Sequence, residues 1–140
     1  MVMATAKKQS VSRVYHQFDA QGKVLGRLAV EVAFVLSGKK KVGYAPHIDN
    51  GDCVVIINTD GLVVTGNKRA DKIYHHFSGY PSGIKSIAFQ DQMQKDSRKI
   101  FWKAVYGMLP KNKLRDRMLT RLNLYKNAEH MHKTIHVQHD

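Results

Sequence analysis

The chain has 140 residues, enough for one domain with a sizeable core, and 43% of them are hydrophobic, which argues against a disordered chain. Its 23 lysines and arginines face 11 acids, leaving a net charge of +12 and a sequence pI near 9.9. Such an excess points to a polyanion, nucleic acid first and an anionic membrane surface second.

Residues 1–12 carry no apolar core of signal-peptide length and are expected to form a mobile basic tail. No later run approaches the roughly 18 apolar residues of a membrane span. "RVYHQFDA" (residues 13–20) is rich in β-branched and aromatic side chains and predicts a short strand. "QGKVLGR" then turns the chain. From Leu25 the period becomes helical: Leu25, Leu28, Ala29, Val32 and Leu36 share one face, and Gly38 is a stop signal.

"CVVIINT" (residues 53–59) is a continuous apolar run, the mark of a strand covered on both faces. After the turn signal Asp60–Gly61, "LVVTG" predicts a second short strand. Strand, helix and strand in this order predict a parallel βαβ unit. "YHHFSGYPSGIKS" (residues 74–86), rich in Gly, Pro and Ser, predicts a surface loop. "IAFQDQMQ" is ambiguous. "DSRKIFWKAVYGMLP" predicts a helix with Asp96 or Ser97 at its start and Pro110 at its end. A further helix is expected in "NKLRDRMLTRL" and a short extended piece in "LNLYKN". The histidine-rich end closes the chain. The expected organisation is a basic tail at 1–12, one α/β domain at 13–126 and a histidine-rich extension at 127–140.

The charge is concentrated. Residues 95–126 carry ten cations, among them Arg117 and Arg121, opposed by Asp96 and Asp116 alone. On helices such a set forms a basic face, the footprint of a phosphate-backbone partner.

Three chemical readings compete with nucleic-acid binding. Gly22 and Gly26 sit between a strand and a helix, but "GKVLGRLA" fits neither the Walker nor the dinucleotide pattern, so a tight turn accounts for them. His130, His132, His136 and His139 crowd the end without a carboxylate or cysteine at ligand spacing, so no metal site is expected. Phosphate contacts or a disordered tail are the blander accounts of those histidines. The single cysteine, Cys53, sits in an apolar run and reads as a small buried hydrophobe. His47 with Asp49 and Asp52 supplies a base and acids for a hydrolase, yet no nucleophile signature accompanies them. Asn50–Gly51 explains that stretch as a turn.

RNA binding explains more. Lys39, Lys40 and Lys41 follow a helix C-terminus, where cations are also favoured by the helix dipole. Tyr44 can stack, His47 can donate to phosphate or ribose, and "SGYPSG" offers similar parts. No helix-turn-helix, zinc finger or basic zipper is present, which favours RNA over DNA. The loop at 38–52 is expected to project outward from its helix rather than close over a pocket.

Five segments resemble the large-subunit ribosomal protein thirteen family in its bacterial or organellar form. They are "DAQGKVLGRLA", "LSGKKKVGYAPHIDNGDCVVIIN", "TGNK", "SGYPSG" and "AVYGMLPKNKL", within residues 13–132. The resemblance implies a three-layer α/β/α domain around a four-stranded parallel sheet of order 3-2-1-4. It implies a large-subunit ribosomal protein that binds the large rRNA, supports early assembly and touches neighbouring ribosomal proteins; the lack of a typical transit peptide favours a cytoplasmic ribosome over an organellar one. It implies no enzymatic activity, cofactor, membrane or small-molecule substrate.

On matched positions the RNA-contact candidates are Lys39, Lys41, Tyr44 and His47, then Ser78, Gly79, Tyr80 and Pro81, then Lys111, Asn112 and Lys113; Lys40 and Lys68 join them as further candidate cations. Arg117, Arg121, His130 and His132 complete the set. Asp49 and Asp52 become loop-fixing residues whose carboxylates accept hydrogen bonds. The chain departs from the family pattern at Phe77, Arg115 and the C-terminal tail. A catalytic role for His47 and a regulatory role on messenger RNA are the competing function classes.

Overall fold

A computed structural model of the chain describes residues 11–132 and the backbone of residues 137–139. The expected tail at 1–12 and the histidine-rich extension therefore lie partly outside the described residues. The elements are β1 (Tyr15–Asp19), α1 (Leu25–Ser37), β2 (Cys53–Ile57), α2 (Lys68–Asp71), β3 (Ile73–Phe77) and β4 (Ile84–Ala88). They continue with α3 (Phe89–Lys95), α4 (Ser97–Met108), α5 (Leu114–Thr120), β5 (Leu122–Leu124) and β6 (Val137–His139). A single 3₁₀ turn, Thr59–Gly61, follows β2.

The parallel βαβ unit forms as its periodicity predicts. β1 and β2 pair in parallel from Tyr15↔Cys53 to Asp19↔Ile57, joined through α1. Helix α1 ends where its glycine allows. Gly38 adopts φ +80°, and the N–H groups of Gly38 and Lys39 donate to Val35 and Phe34 carbonyls at 3.2 Å. β5 adds beside β2 through Val54↔Leu122, Val55↔Asn123 and Ile56↔Leu124. The three residues of β6 lie parallel to β1, so the sheet runs β5-β2-β1-β6.

The strands differ from the expectation in two ways. They do not make one four-stranded parallel sheet alone, because β3 and β4 form a separate antiparallel pair. That pair replaces the loop expected at residues 74–86. Ile73, Tyr74, Phe77, Ile84 and Ile87 supply strand-forming side chains, while the Gly/Pro/Ser bias belongs to the turn at its tip. The tip closes with Ser78 N–H donating to Gly83 O at 3.0 Å and Gly83 N–H donating to Tyr80 O at 2.9 Å. The second short strand expected at "LVVTG" is reduced to one parallel bridge, Val24↔Val63.

The core lies on one face of the sheet. Phe18, Val54 and Ile56 pack there with Leu28, Ala29, Val32 and Leu36 of α1 and with Ile100, Phe101 and Val105 of α4. Helices α1 and α4 pack on each other across this cluster. On the opposite face of β1, Tyr15 stacks on His132 with centroids 5.8 Å apart, and Gln17 bonds His130 at 3.2 Å. Val55 is fully buried, which is why β2 reads as an unbroken apolar run.

Helix α4 starts at a cap that the sequence marks. The Asp96 carboxylate accepts from Arg98 N–H at 3.1 Å and from Arg98 Nε at 3.0 Å. Ser97 then ties the helix to the 3₁₀ turn. Its hydroxyl sits 2.9 Å from Thr59 Oγ1 and donates to Asp60 Oδ1 at 2.5 Å.

Phe101 is fully buried between the two helices and the sheet. Replacing it by alanine is expected to cost about 3–5 kcal/mol, read as a lower urea midpoint at unchanged slope.

Candidate nucleic-acid interface

Residues 38–52 connect α1 to β2, and two acids fasten them to the body. The Asp49 carboxylate receives both arms of the Arg121 guanidinium, at 2.6 Å on Oδ2 and 2.7 Å on Oδ1. Arg121 also donates to Leu36 O at 2.8 Å and to Asp52 O at 3.3 Å. Arg13 donates to Asp49 O at 3.2 Å and to Gly51 O. Asp52 holds the other side. Its Oδ1 accepts from Lys41 Nζ at 2.7 Å and from Val14 N–H at 3.2 Å, and its Oδ2 meets His16 Nε2 at 2.9 Å.

Burial pushes the Asp52 carboxyl upward. The hydrogen bonds from Lys41, His16 and the Val14 N–H, with the charge of Lys41, outweigh it and hold the group below its ordinary 3.8. Gly51 sits in the middle of this knot. A Cβ there would lie 1.7 Å from the backbone oxygen of Leu36.

The anchored ends leave the middle of the loop outside. Val42, Pro46 and His47 are exposed, and Tyr44 is half-buried. Among the described residues His47 makes no hydrogen bond, and the oxygens of Asp49 and Asp52 are engaged elsewhere. A cleft of about 560 Å³ lined by Asp60, Arg69, Phe89 and Met93 includes none of the three. Among the described residues His47 is therefore bonded to neither acid, and that cleft does not reach it.

Instead the loop meets a second basic turn. A groove of about 280 Å³ is lined by Val30, Phe34 and Lys39 on one side and by Met108, Leu109 and Pro110 on the other. The "GKKK" and "MLPKNK" segments, about 70 residues apart in sequence, thus flank one groove. Lys39 reaches over the Phe34 ring at 5.6 Å. Lys39, Lys40, Lys111, Lys113 and Arg117 are exposed and make no ion pair among the described residues.

Other candidates have structural duties. Asn112 Oδ1 accepts from the N–H groups of Leu114 and Arg115 at 3.1 and 3.2 Å, capping α5. Lys41 and Arg121 are held by Asp52 and Asp49 as described. His130 and His132 lie among Tyr125, Tyr15 and Gln17. Lys68 is exposed at the start of α2.

Ser78, Gly79, Tyr80 and Pro81 form the exposed hairpin tip, where Gly79 takes φ +88°. The hairpin rests on the body through Tyr74. Its ring lies 6.4 Å from Phe89 and beneath the ammonium groups of Lys103 and Lys72, at 4.6 and 5.3 Å. The tip is a separate place on the molecule from the lysine groove.

The sequence reading did not single out Arg13, His16 or Tyr74. Their partners lie far along the chain, so no local spacing marks them. Among the described residues no three His, Cys, Asp or Glu gather to hold a metal, and no helix is long and apolar enough to cross a membrane.

Comparison with known proteins shows the family of the chain. Residues 13–131 match the family described as Ribosomal protein L13. The chain is 50% identical over 127 residues to the large ribosomal subunit protein uL13 of Caldanaerobacter subterraneus subsp. tengcongensis, covering 91% of this chain and 89% of that one. The proteins of the same name from Geobacter sulfurreducens and Clostridioides difficile are 50% and 48% identical, each with the same coverage.

Two outcomes follow for the anchored loop. Asp52 has a depressed folded-state pKa, so its contribution is present above the unfolded value, roughly pH 4. It is lost as pH falls through the folded value below that. The stability gap between the wild type and Asp52→Asn should therefore be full at pH 6 and shrink at acid pH, in urea melts across that range. Gly51→Ala should cost at least about 1–3 kcal/mol, since the added methyl meets backbone rather than a movable side chain.

Proposed function

The chain belongs to the ribosomal protein L13 family, and from that membership we propose that it is a structural constituent of the large ribosomal subunit that binds large-subunit rRNA through its basic loops. The family consists of ribosomal components rather than enzymes. The observation that carries the RNA reading is a groove between α1 and α4 that Lys39 lines on one side and Met108 to Pro110 on the other, each side continuing in sequence into exposed lysines without an ion pair among the described residues, Lys40 on one and Lys111 and Lys113 on the other.

The mechanism is electrostatic positioning. Each exposed cation that meets a phosphate releases a condensed counterion, which supplies affinity without reading sequence. Tyr44, His47 and the hairpin tip with Tyr80 add stacking and hydroxyl contacts of the kind that RNA loops accept. The anchored base of residues 38–52 presents these groups in one arrangement, so less ordering is lost on binding. We read the role in early assembly the same way: a rigid basic surface that fixes rRNA segments before other proteins join. Neighbouring ribosomal proteins and a cytoplasmic ribosome complete the reading.

Binding to large-subunit rRNA fragments should weaken by orders of magnitude between about 50 and 200 mM salt. The double variant Lys39→Glu, Lys111→Glu should lower the logarithmic salt slope by roughly one per lost contact and impair co-sedimentation with the large subunit. An affinity that barely responds to salt, or normal incorporation of the variant, would overturn the phosphate-contact reading.

A further inference from the structure

We propose that Trp102, backed by Tyr106 and Arg115, is a stacking platform for one unpaired base of the bound RNA, an inference that rests on the rRNA-binding reading above. Trp102 and Tyr106 stand one turn apart on α4, and their rings stack with centroids 5.1 Å apart and planes within 20°. Arg115, from the first turn of α5, places its guanidinium carbon 3.8 Å from the Tyr106 ring centroid. Its Nη2 also donates to the Tyr106 hydroxyl at 2.5 Å. The ladder of indole, phenol and guanidinium is thus built from two helices and held at both joints.

The indole is not needed for the core. Ile100, Phe101 and Val105 supply the buried face of α4, while Trp102 is 40% exposed. An exposed tryptophan locked in place by a tyrosine presents a preorganised π-face. Stacking on a base is sequence-tolerant because every base has such a face.

The charges around it select the occupant. Arg98, Lys99 and Lys103 are exposed on the same helix; Arg98 is held by Asp96 at 3.0 Å and lies near Asp60, Lys103 sits over the Tyr74 ring, and Lys99 makes no ion pair among the described residues, so the helix keeps a surplus of positive charge. An arginine or lysine from a protein partner would meet like charge here. An acidic peptide would satisfy the cations and leave the indole face unused. A single-stranded stretch of RNA supplies both complements, phosphates for the cations and a base for the ring. Trp102 lies about 10 Å along the axis of α4 from Leu109, which lines the lysine groove.

Trp102 is the single tryptophan of the chain, so its fluorescence reports on the platform directly. The full-length protein is titrated with a short oligoadenylate and with an abasic ribose-phosphate oligomer of equal length. The adenylate should quench the emission, and the abasic oligomer should bind without quenching. In anisotropy titrations of the labelled adenylate, Trp102→Ala should weaken binding about five- to a hundredfold, with Trp102→Phe retaining most of the affinity. Equal quenching by both oligomers, or unchanged affinity of both variants, would overturn the platform. If the wild type binds neither oligomer nor an rRNA fragment at low salt, the rRNA-binding reading itself fails. If it binds both with steep salt dependence while Trp102 stays silent, only the platform fails.

Discussion

The guanidinium of Arg121 holds together three parts of the chain that have no local reason to meet. It bonds Asp49 in the loop, the Leu36 carbonyl in the last turn of α1, and the Asp52 carbonyl at the entrance to β2. A carbonyl in a last helical turn has no intrahelical partner, so the arginine fills a need that exists before the loop is considered. The pair is largely out of water, with side-chain exposures of 11% and 12%. Desolvating two charges is costly, and it is tolerated here because the planar fork meets a carboxylate bidentately and spends its remaining donors on carbonyls. A lysine could not reproduce that geometry.

This arrangement explains why a protein with such an excess of cations keeps two acids beside its lysine cluster. Asp49 and Asp52 do not neutralise the outer surface. They engage Arg121, Arg13, Lys41 and His16 in hydrogen bonds and ion pairs, and leave Lys39 and Lys40 outside. The charge around the loop is thereby sorted into a paired fraction that fixes shape and an unpaired, exposed fraction. Gly51 is part of the same construction, because the backbone of α1 passes where any side chain would stand.

The antiparallel pair β3–β4 follows a different rule. A two-stranded hairpin is marginal on its own in water. Tyr74 secures this one against Phe89 and under two ammonium groups, and burial pushes its phenol pKa up. The other face, with Ile73, Phe77 and Ile84, stays largely exposed. The hairpin reads as a loop in sequence because its tip carries the Gly, Pro and Ser signals. Its adjacent histidines, His75 and His76, also mask the alternation of the strand.

What depends on near neighbours can be read directly from the residues. The apolar face of α1, the glycine stop at Gly38, the Asp96 cap of α4, the buried run of β2 and the excess of cations were all legible, because periodicity, capping and composition act within a few residues. The resemblance of five segments made the family legible as well. Which cations are spent and which are open emerges from folding alone. Arg121 and Lys111 look alike in a basic stretch, yet one is held by Asp49, 72 residues away, and the other stands in solvent. Tyr106 and Arg115 likewise meet across the turn between α4 and α5, with the guanidinium carbon 3.8 Å from the ring centroid. Coulombic and stacking partners are chosen by distance in space, and a linear spacing carries no record of that distance once the chain has folded back on itself.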